Sequence, residues 1–266
     1  MSRSPWMYGL WLGLAACQPT EEPEDFQTPT VAPETEADPF DARGGWGYRQ
    51  VLQQYVQPPI GDPVLQKIVA YGLATLEANP EDSTLTFQDQ VCLIEMTKVM
   101  GAGFEMTEGY YQNPATPAVT FQVSALAVGG VLSAPEQVET YGVQLEQPLT
   151  DALPTSPDDP RVNDFDHDGD PGFTINVTTP SGYLWTVNRF VYELDGVIYT
   201  PDYIAGLVYG VSENAYLYSS SQIIPTDTQV WPSEVEGHNF YDLVRLSGQE
   251  SCAALLEARE ELFPSE

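Results

Sequence analysis

The residues with the clearest chemistry in this sequence lie in a short acidic segment, Asn163 to Gly172. Carboxylates recur at alternate positions, at Asp164, Asp166 and Asp168, and Gly169 follows the third. Calcium takes roughly six to eight oxygen ligands at about 2.4 Å, and a loop turned by a glycine brings alternate carboxylates to one point. Magnesium keeps more of its water, and zinc prefers nitrogen and sulfur. The segment therefore predicts a calcium loop.

The remaining ligands of this loop are not fixed by the sequence. In an EF-hand the last loop position is a bidentate Glu, whereas here that position is Ile175 and a strand is expected to follow. Asp170 offers a backbone carbonyl or its carboxylate, and Asp158 or Asp159 is a further candidate. A solvated acidic turn is the alternative to a metal site. The predicted metal ligands are Asp164, Asp166, Asp168 and Asp170.

The N-terminus has the layout of a secretory signal. One cation, Arg3, precedes an apolar run from Trp6 to Leu14, which is shorter than the roughly 20 residues that a membrane-spanning helix needs. The next residues, Leu14-Ala15-Ala16-Cys17, resemble the bacterial lipobox, in which the cysteine thiol receives a diacylglycerol. We predict a signal peptide over residues 1–16 and lipidation of Cys17. An ordinary signal peptide that happens to include a cysteine is the alternative.

A disordered tether is expected over residues 17–43. Between Gln18 and Ala42 there are five prolines, eight acidic residues and no basic residue, so this segment cannot bury a core and repels itself. Aromatic and β-branched residues become frequent after Gly44, and we place a single domain over residues 44–266. Because Gln18, not Asp, follows the cysteine, the sequence predicts a lipoprotein of the bacterial outer membrane, on its periplasmic or surface face.

The charge of the chain limits its partners. There are 39 acidic and 9 basic residues, which give a net charge of -30. Such a chain repels phosphate backbones, so nucleic acid is excluded as a partner, and it offers no basic patch for anionic lipid headgroups. Membrane attachment is therefore assigned to the lipid on Cys17. A protein or small-molecule partner is not identified by the sequence.

Two further cysteines, Cys92 and Cys252, remain after Cys17 is assigned to lipid. In an oxidising extracytoplasmic compartment a disulfide between them is the simpler interpretation. Two separate buried thiols are the alternative, since two cysteines alone form no framework pattern.

The residues that enzymes commonly use are sparse. Of the two histidines, His167 lies inside the acidic loop and is expected to point outward, and His238 is expected at the surface or a strand edge. No Gly-x-Ser-x-Gly, His-Glu-x-x-His or phosphate-binding glycine motif is present. We therefore assign no catalytic residue and favour a structural or binding role. The alternative is a cell-surface hydrolase that acts on glycan with paired carboxylates.

The elements that must position the acidic loop are mostly strands. Alternating apolar residues predict strands over 119–127, 141–145, 173–177, 183–194, 203–218 and 240–246. Near the end, Ser251 is expected to cap a short helix that runs to Leu262 and ends before Pro264. The predicted fold class is mainly β, an antiparallel barrel or sandwich with a short C-terminal helix.

The segment from Pro63 to Asn79 is ambiguous. Asp62 and Pro63 suit a helix start, yet the apolar residues also alternate as in a strand. A turn at residues 79–82, followed by apolar residues over 85–93, is typical of a hairpin. Strands are favoured here.

Several of these motifs occur together in a group of uncharacterised bacterial lipoproteins. The lipobox, the acidic tether, the block from Asp164 to Thr174, and the strand from Tyr183 to Arg189 resemble that group, as do Cys92 and the C-terminal stretch from Phe240 to Cys252. The likeness covers most of residues 84–255. It implies a β-rich domain with a calcium loop at Asp164, Asp166 and Asp168, and it implies no activity.

Overall fold

The computed structural model describes residues 25–27, 29, 39–58, 60–112, 117–222, 224, 226, 228–235, 237–248 and 251–264. The signal segment, Cys17 and most of the tether lie outside the described residues, so the cleavage and lipidation stay predictions. Among the described residues, no helix has both the length and the apolar character needed to cross a membrane.

The predicted class, mainly β with a short C-terminal helix, is confirmed. The described residues form the strands β1 (Gly45–Gln57), β2 (Val64–Asn79), β3 (Thr84–Met96), β4 (Phe104–Met106), β5 (Val119–Val123), β6 (Val131–Tyr141), β7 (Phe173–Thr178), β8 (Ser181–Thr200), β9 (Tyr203–Ser219), β10 (Gln229–Pro232) and β11 (Phe240–Arg245). The helices are α1 (Glu108–Tyr111) and α2 (Cys252–Leu262).

Eight of the strands form a closed ring. Neighbours pair in the order β8, β6, β5, β3, β2, β1, β11 and β9, and β9 pairs again with β8. All of these pairings are antiparallel. The fold is therefore a barrel and not a sandwich. Outside the ring, β7 and β4 extend from the N-terminal half of β8, and β10 pairs with the C-terminal end of β1.

An apolar core fills one end of the barrel, the end that carries the β2–β3 and β8–β9 turns. Side chains from opposite sides of the ring meet there because alternate residues of every strand point inward. The largest fully buried members of this core are Trp46, Leu85, Phe121, Leu132, Ile198, Ile204 and Leu243.

The hairpin of β2 and β3 confirms the strand interpretation of residues 63–79. Its register shifts once, because Gly72 pairs with Val91 whereas Tyr71 pairs with Leu93. The extra residue in this bulge is Cys92. Because the bulge shifts the alternation by one residue, Asp89 and Val91 line the interior before it and Ile94 and Met96 line it afterwards.

A second bulge lies in β6. Ala134 pairs with Leu194 and Gln137 pairs with Tyr192, so Pro135 and its neighbour are left out of the register. Because the phase of the strand changes at this point, Glu139 on its far side lines the interior.

The outer surface of the β1–β2–β3 region carries the C-terminal helix α2. The predicted N-cap is confirmed, since the Ser251 Oγ accepts a hydrogen bond of 3.3 Å from the Ala254 backbone N–H. Leu255 is fully buried beneath the helix. The predicted disulfide is also confirmed: Cys92 in the β3 bulge is bonded to Cys252 at the first position of α2, with 5.3 Å between their Cα atoms.

The predicted strand over 141–145 is wrong in its bounds. β6 ends at Tyr141, and Val143 forms only an isolated bridge to Val162. The strand instead covers 131–141, a range that the sequence pattern missed because Pro135 interrupts the alternation and proline donates no ladder hydrogen bond.

Part of the segment assigned to the tether packs on the barrel. Phe40 and Ala42 belong to the apolar core, and the Phe40 N–H donates to the Leu126 carbonyl at 3.1 Å. Further toward the N-terminus, the Phe26 ring lies 5.7 Å from that of Phe240. Contacts with the barrel therefore begin before residue 44.

Candidate functional site

The acidic segment forms a closed loop between β6 and β7. Its ends are tied by two backbone hydrogen bonds, from the Phe165 N–H to the Gly172 carbonyl at 2.7 Å and from the Gly172 N–H to the Asn163 carbonyl at 2.9 Å. The loop turns at Gly169, whose φ of 94° lies in the region that glycine adopts without steric cost. The loop thus has a fixed geometry.

Three carboxylates converge inside this loop. One oxygen from each of Asp164, Asp166 and Asp168 lies within 4.8 Å of the others. The loop backbone and the next strand orient them: the Gly169 N–H donates to Asp164 Oδ2 at 3.0 Å, and the Thr174 hydroxyl donates to Asp168 Oδ2 at 2.5 Å. The arrangement brings together three of the four predicted ligands.

Asp166 is the buried member of this group, with 2% of its surface exposed. Its Oδ2 accepts hydrogen bonds from the Thr107 hydroxyl at 2.5 Å and the Thr174 N–H at 3.1 Å. Its Oδ1 is buried without a hydrogen-bond partner, and so is Oδ1 of Asp164. Burial raises the pKa of Asp166 against the effect of those hydrogen bonds. Buried carboxylate oxygens without donors are costly, and a cation would satisfy them; the group can hold a metal ion.

The other acidic candidates lie outside this group. Asp170 Oδ1 accepts a hydrogen bond of 3.1 Å from the Tyr218 hydroxyl. Asp159 forms an ion pair with Arg161, with 2.8 Å between the guanidinium nitrogen and the carboxylate oxygen. The hydrogen bonds that Arg161 donates lower the pKa of Asp159 to about 2. Asp158 is exposed, and His167 is exposed as expected. Among the described residues, the acidic side chains that converge closely enough to be able to hold a metal ion are the three aspartates.

The second candidate site is a cavity of about 610 Å³ inside the barrel, beyond the filled end. Sites for small molecules typically have volumes of about 300 to 1,000 Å³. Most of the lining is apolar, with Leu52, Ile68, Met96, Phe104 and Ile175 among its residues. Its lining also includes exposed residues, among them Met100, which is 60% exposed.

Two carboxylates face this cavity, and the first is Glu139. Tyr192 from β8 donates a hydrogen bond of 2.5 Å to Glu139 Oε1, and Tyr141 donates to Oε2. Burial raises the pKa of Glu139, while the two hydroxyl hydrogen bonds oppose that shift. Both oxygens of this carboxylate are therefore held by tyrosine hydroxyls at the cavity wall.

The second carboxylate is Asp89 on β3, which is buried. The Tyr48 hydroxyl from β1 hydrogen-bonds to it, and burial together with this carboxylate raises the pKa of Tyr48. Asp89 is near enough to Glu139 for its charge to raise the pKa of that residue. Neither residue is among the site residues predicted from the sequence. For Glu139 the available signal is a carboxylate two residues from a tyrosine within a strand, in Glu139-Thr140-Tyr141, whereas Asp89 has no such neighbour in the sequence.

The loop and the cavity share a wall. Thr107, which holds Asp166, immediately precedes the short helix α1, and the Tyr110 ring in α1 lies 5.5 Å from Phe165 of the loop and 5.6 Å from Phe173 of the cavity lining. The two backbones approach closely at Gly109, where a Cβ atom would lie 1.9 Å from the Asp166 carbonyl oxygen. The three-aspartate loop therefore packs against residues that line the cavity.

His238 is not at the surface, and that expectation was wrong. It is 5% exposed, its Nδ1 lies 2.7 Å from Ser233 Oγ, and its Nε2 lies 3.1 Å from Asp25 Oδ1. This is the residue set of a hydrolytic triad, but Ser233 is itself buried and none of the three residues lines the cavity. The cluster fixes the segment before β11 and the residues around Asp25.

Comparisons with protein-family models, curated proteins and solved structures find no match for this chain. The functional conclusion therefore depends on the geometry of the two sites, and the likeness to a lipoprotein group stays a prediction.

Proposed function

We propose that this protein is a membrane-anchored, extracytoplasmic lipoprotein whose calcium-stabilised barrel binds a small ligand in its interior. The observation that carries the proposal is the cavity of about 610 Å³ that Asp89 and Glu139 face. A purely structural domain gains stability by filling its interior, because each void forfeits packing. Eight-stranded barrels are either filled by side chains or hold one small ligand. Here one end of the interior is filled and the other is not.

Ligand binding is tested with a neutral, environment-sensitive dye such as Nile red. We expect its fluorescence to rise when it enters the apolar cavity of the purified protein. Ala70 on β2 lines the cavity, so Ala70→Trp is expected to occupy part of it and weaken dye binding by about tenfold, a loss of about 1.4 kcal/mol.

Thr75→Trp is the matched control for this variant, because Thr75 is exposed on the same strand. It adds the same indole outside the barrel and is expected to leave dye binding as in the unmodified protein. Equal binding by all three proteins would place the dye elsewhere, and an absence of binding to the unmodified protein would refute the proposal.

Calcium is the ion that we assign to Asp164, Asp166 and Asp168. Three carboxylates in one small loop, with hydroxyl and backbone groups around them, offer only oxygen ligands, which calcium prefers and zinc does not. An extracytoplasmic location supplies calcium at concentrations for which a weak site suffices.

The anchor is tested on protein recovered from the membrane fraction. Mass spectrometry is expected to find a chain that begins at Cys17 and carries a diacylglycerol on its thiol. Such a chain would partition into detergent with the membrane because its acyl chains insert into the bilayer. An unmodified Cys17, or cleavage at another residue, would contradict this part of the proposal.

Hydrolysis of a glycan is the second candidate function. The observation that favours it is that Asp89 and Glu139 face one cavity and that the pKa of Glu139 is raised, as a general acid requires. The largely apolar lining and the tyrosine hydroxyls on both oxygens of Glu139 favour binding instead. Release of reducing sugar that Glu139→Gln abolishes would decide for the hydrolase.

A further inference from the structure

The charge of the cavity is of one sign. Asp89 and Glu139 are its acidic residues, and no Lys, Arg or His occurs among the described residues that line it. The remaining polar residues of the lining are neutral and carry hydroxyl or amide groups. Among them, the Asn188 Nδ2 on β8 donates hydrogen bonds to two residues of β9, to Ser212 Oγ at 2.8 Å and to Asn214 Oδ1 at 2.9 Å. The described lining therefore presents two carboxylates and no cationic side chain to the interior.

We propose that the ligand is a hydrophobic cation, an apolar body that carries an ammonium group, and that its charge lies against Asp89 and Glu139. This inference rests on the proposed function, since it names the class of molecule that the same cavity takes. The apolar body lies along the aliphatic and aromatic residues that form the rest of the lining.

Electrostatics selects this class over an acidic ligand. Bringing a fatty acid carboxylate beside two buried carboxylates adds like charge in a site of low dielectric, whereas an ammonium group is attracted. The tyrosine hydroxyl protons already point at the carboxylates, so each carboxylate is held in place before a ligand arrives. This preorganisation lowers the cost of binding.

Aromatic rings add to the selection. The rings of Tyr48, Tyr110, Tyr141 and Tyr192 line the cavity around the two carboxylates. The face of an aromatic ring attracts a cation within about 6 Å of its centroid by about 0.5 to 2 kcal/mol. A net charge of -30 also concentrates cations near the protein at low ionic strength. An apolar ammonium compound would be attracted by the two carboxylates, by the faces of the aromatic rings and by the net negative charge of the protein.

A metal ion fits the cavity poorly. The metal-binding group among the described residues lies in the acidic loop and includes neither Asp89 nor Glu139. Calcium needs roughly six to eight oxygens, but the wall around these two carboxylates is mostly aromatic and aliphatic. An organic cation needs only charge and apolar contact.

The experiment compares dodecylamine, dodecanol and dodecanoate as competitors of bound Nile red at pH 7. The three share one chain and differ in the charge of the head. We expect dodecylamine to displace the dye at a concentration at least tenfold lower than dodecanol, and dodecanoate to be the weakest.

Two double variants distinguish the effect of the cavity carboxylates on binding from the effect of the net charge of the protein. Asp89→Asn with Glu139→Gln is expected to bring the amine's affinity down to that of the alcohol. Glu77→Gln with Glu193→Gln is the matched control, since both residues are exposed and the change in net charge is the same. This control is expected to keep the preference for the amine, also at high salt, where exposed charges are screened.

The outcomes distinguish this inference from the proposed function. If no competitor displaces the dye, or the dye does not bind, the interior is not a ligand site and both fail. If dodecanol displaces the dye but dodecylamine has no advantage, or dodecanoate is preferred, only the cationic ligand is refuted. Should the double variant not fold, Glu139→Gln and Asp89→Asn are measured singly, and a tenfold preference that persists in both would overturn the inference.

Discussion

Removal of the disulfide between Cys92 and Cys252 is expected to lower the free energy of unfolding by about 5 kcal/mol, because the bond closes a loop of 160 residues in the unfolded chain. The loss of chain entropy grows with loop length, and this loop includes most of the barrel. The bond also holds α2 in place. Without it, the helix depends on Leu255 and Phe263, whose side chains are buried beneath it.

Urea unfolding of the protein before and after reduction measures this effect. Cys92→Ser with Cys252→Ser is expected to match the reduced protein, and its unfolding midpoint is not expected to respond to the reductant. A reductant effect in the variant would point to another target, and a reduced protein with an unchanged midpoint would contradict the prediction.

Calcium is expected to raise the melting temperature relative to a chelator. At a concentration about a hundred times the dissociation constant, a ligand of the folded state adds about 2.7 kcal/mol, which for a chain of this size corresponds to roughly 5 to 10 °C. Magnesium is expected to have a smaller effect, since it retains its water. Differential scanning calorimetry in chelator and in each ion provides the measurement.

Asp166→Asn provides a more specific test, because the change that it causes in melting temperature is expected to have opposite signs in calcium and in chelator. In calcium the variant is expected to melt below the unmodified protein, since a ligand oxygen is lost. In chelator it is expected to melt at the same temperature or higher. Burial raises the pKa of Asp166 in the folded protein above its pKa in the unfolded chain. The negative charge of Asp166 therefore destabilises the fold at pH values above the pKa of the unfolded chain, and the amide of Asn removes that charge.

Asp170→Asn is the matched control in the same loop. Asp170 accepts a hydrogen bond from Tyr218 and lies outside the three-carboxylate group, so this variant is expected to keep the calcium response. If calcium and chelator give the same melting temperature, the loop is a solvated acidic turn. If Asp170→Asn abolishes the response as fully as Asp166→Asn, the ligand set includes Asp170, as the sequence predicted.

Strands with regular alternation could be read from the sequence. β7, β8, β9 and β11 lie close to their predicted ranges, and so does α2, whose Ser251 cap is a local signal. The convergence of Asp164, Asp166 and Asp168 also follows from local spacing. These features depend on residues that are near one another in the chain, and so a single sequence contains them.

Features that depend on distant pairing could not be read in this way. Whether the sheet closes into a barrel is decided by pairings such as β1 with β11 and β6 with β8. The inward position of Glu139 follows from the bulge at Pro135, which reverses the alternation of β6. Similarly, His238 is buried because Ser233 and the distant Asp25 meet it. Each is fixed by a partner that the local pattern does not reveal.

The pairing of β1 with β11 has a consequence for the order of folding. Arg49 and Asp242 form a buried ion pair across these strands although 193 residues separate them in the chain. A barrel closed by its first and last strands cannot be completed while the C-terminal residues are still being synthesised. Contacts of such long range also make folding slow. A chain of this topology stays open until its last strand is available, which would be compatible with the export that we propose.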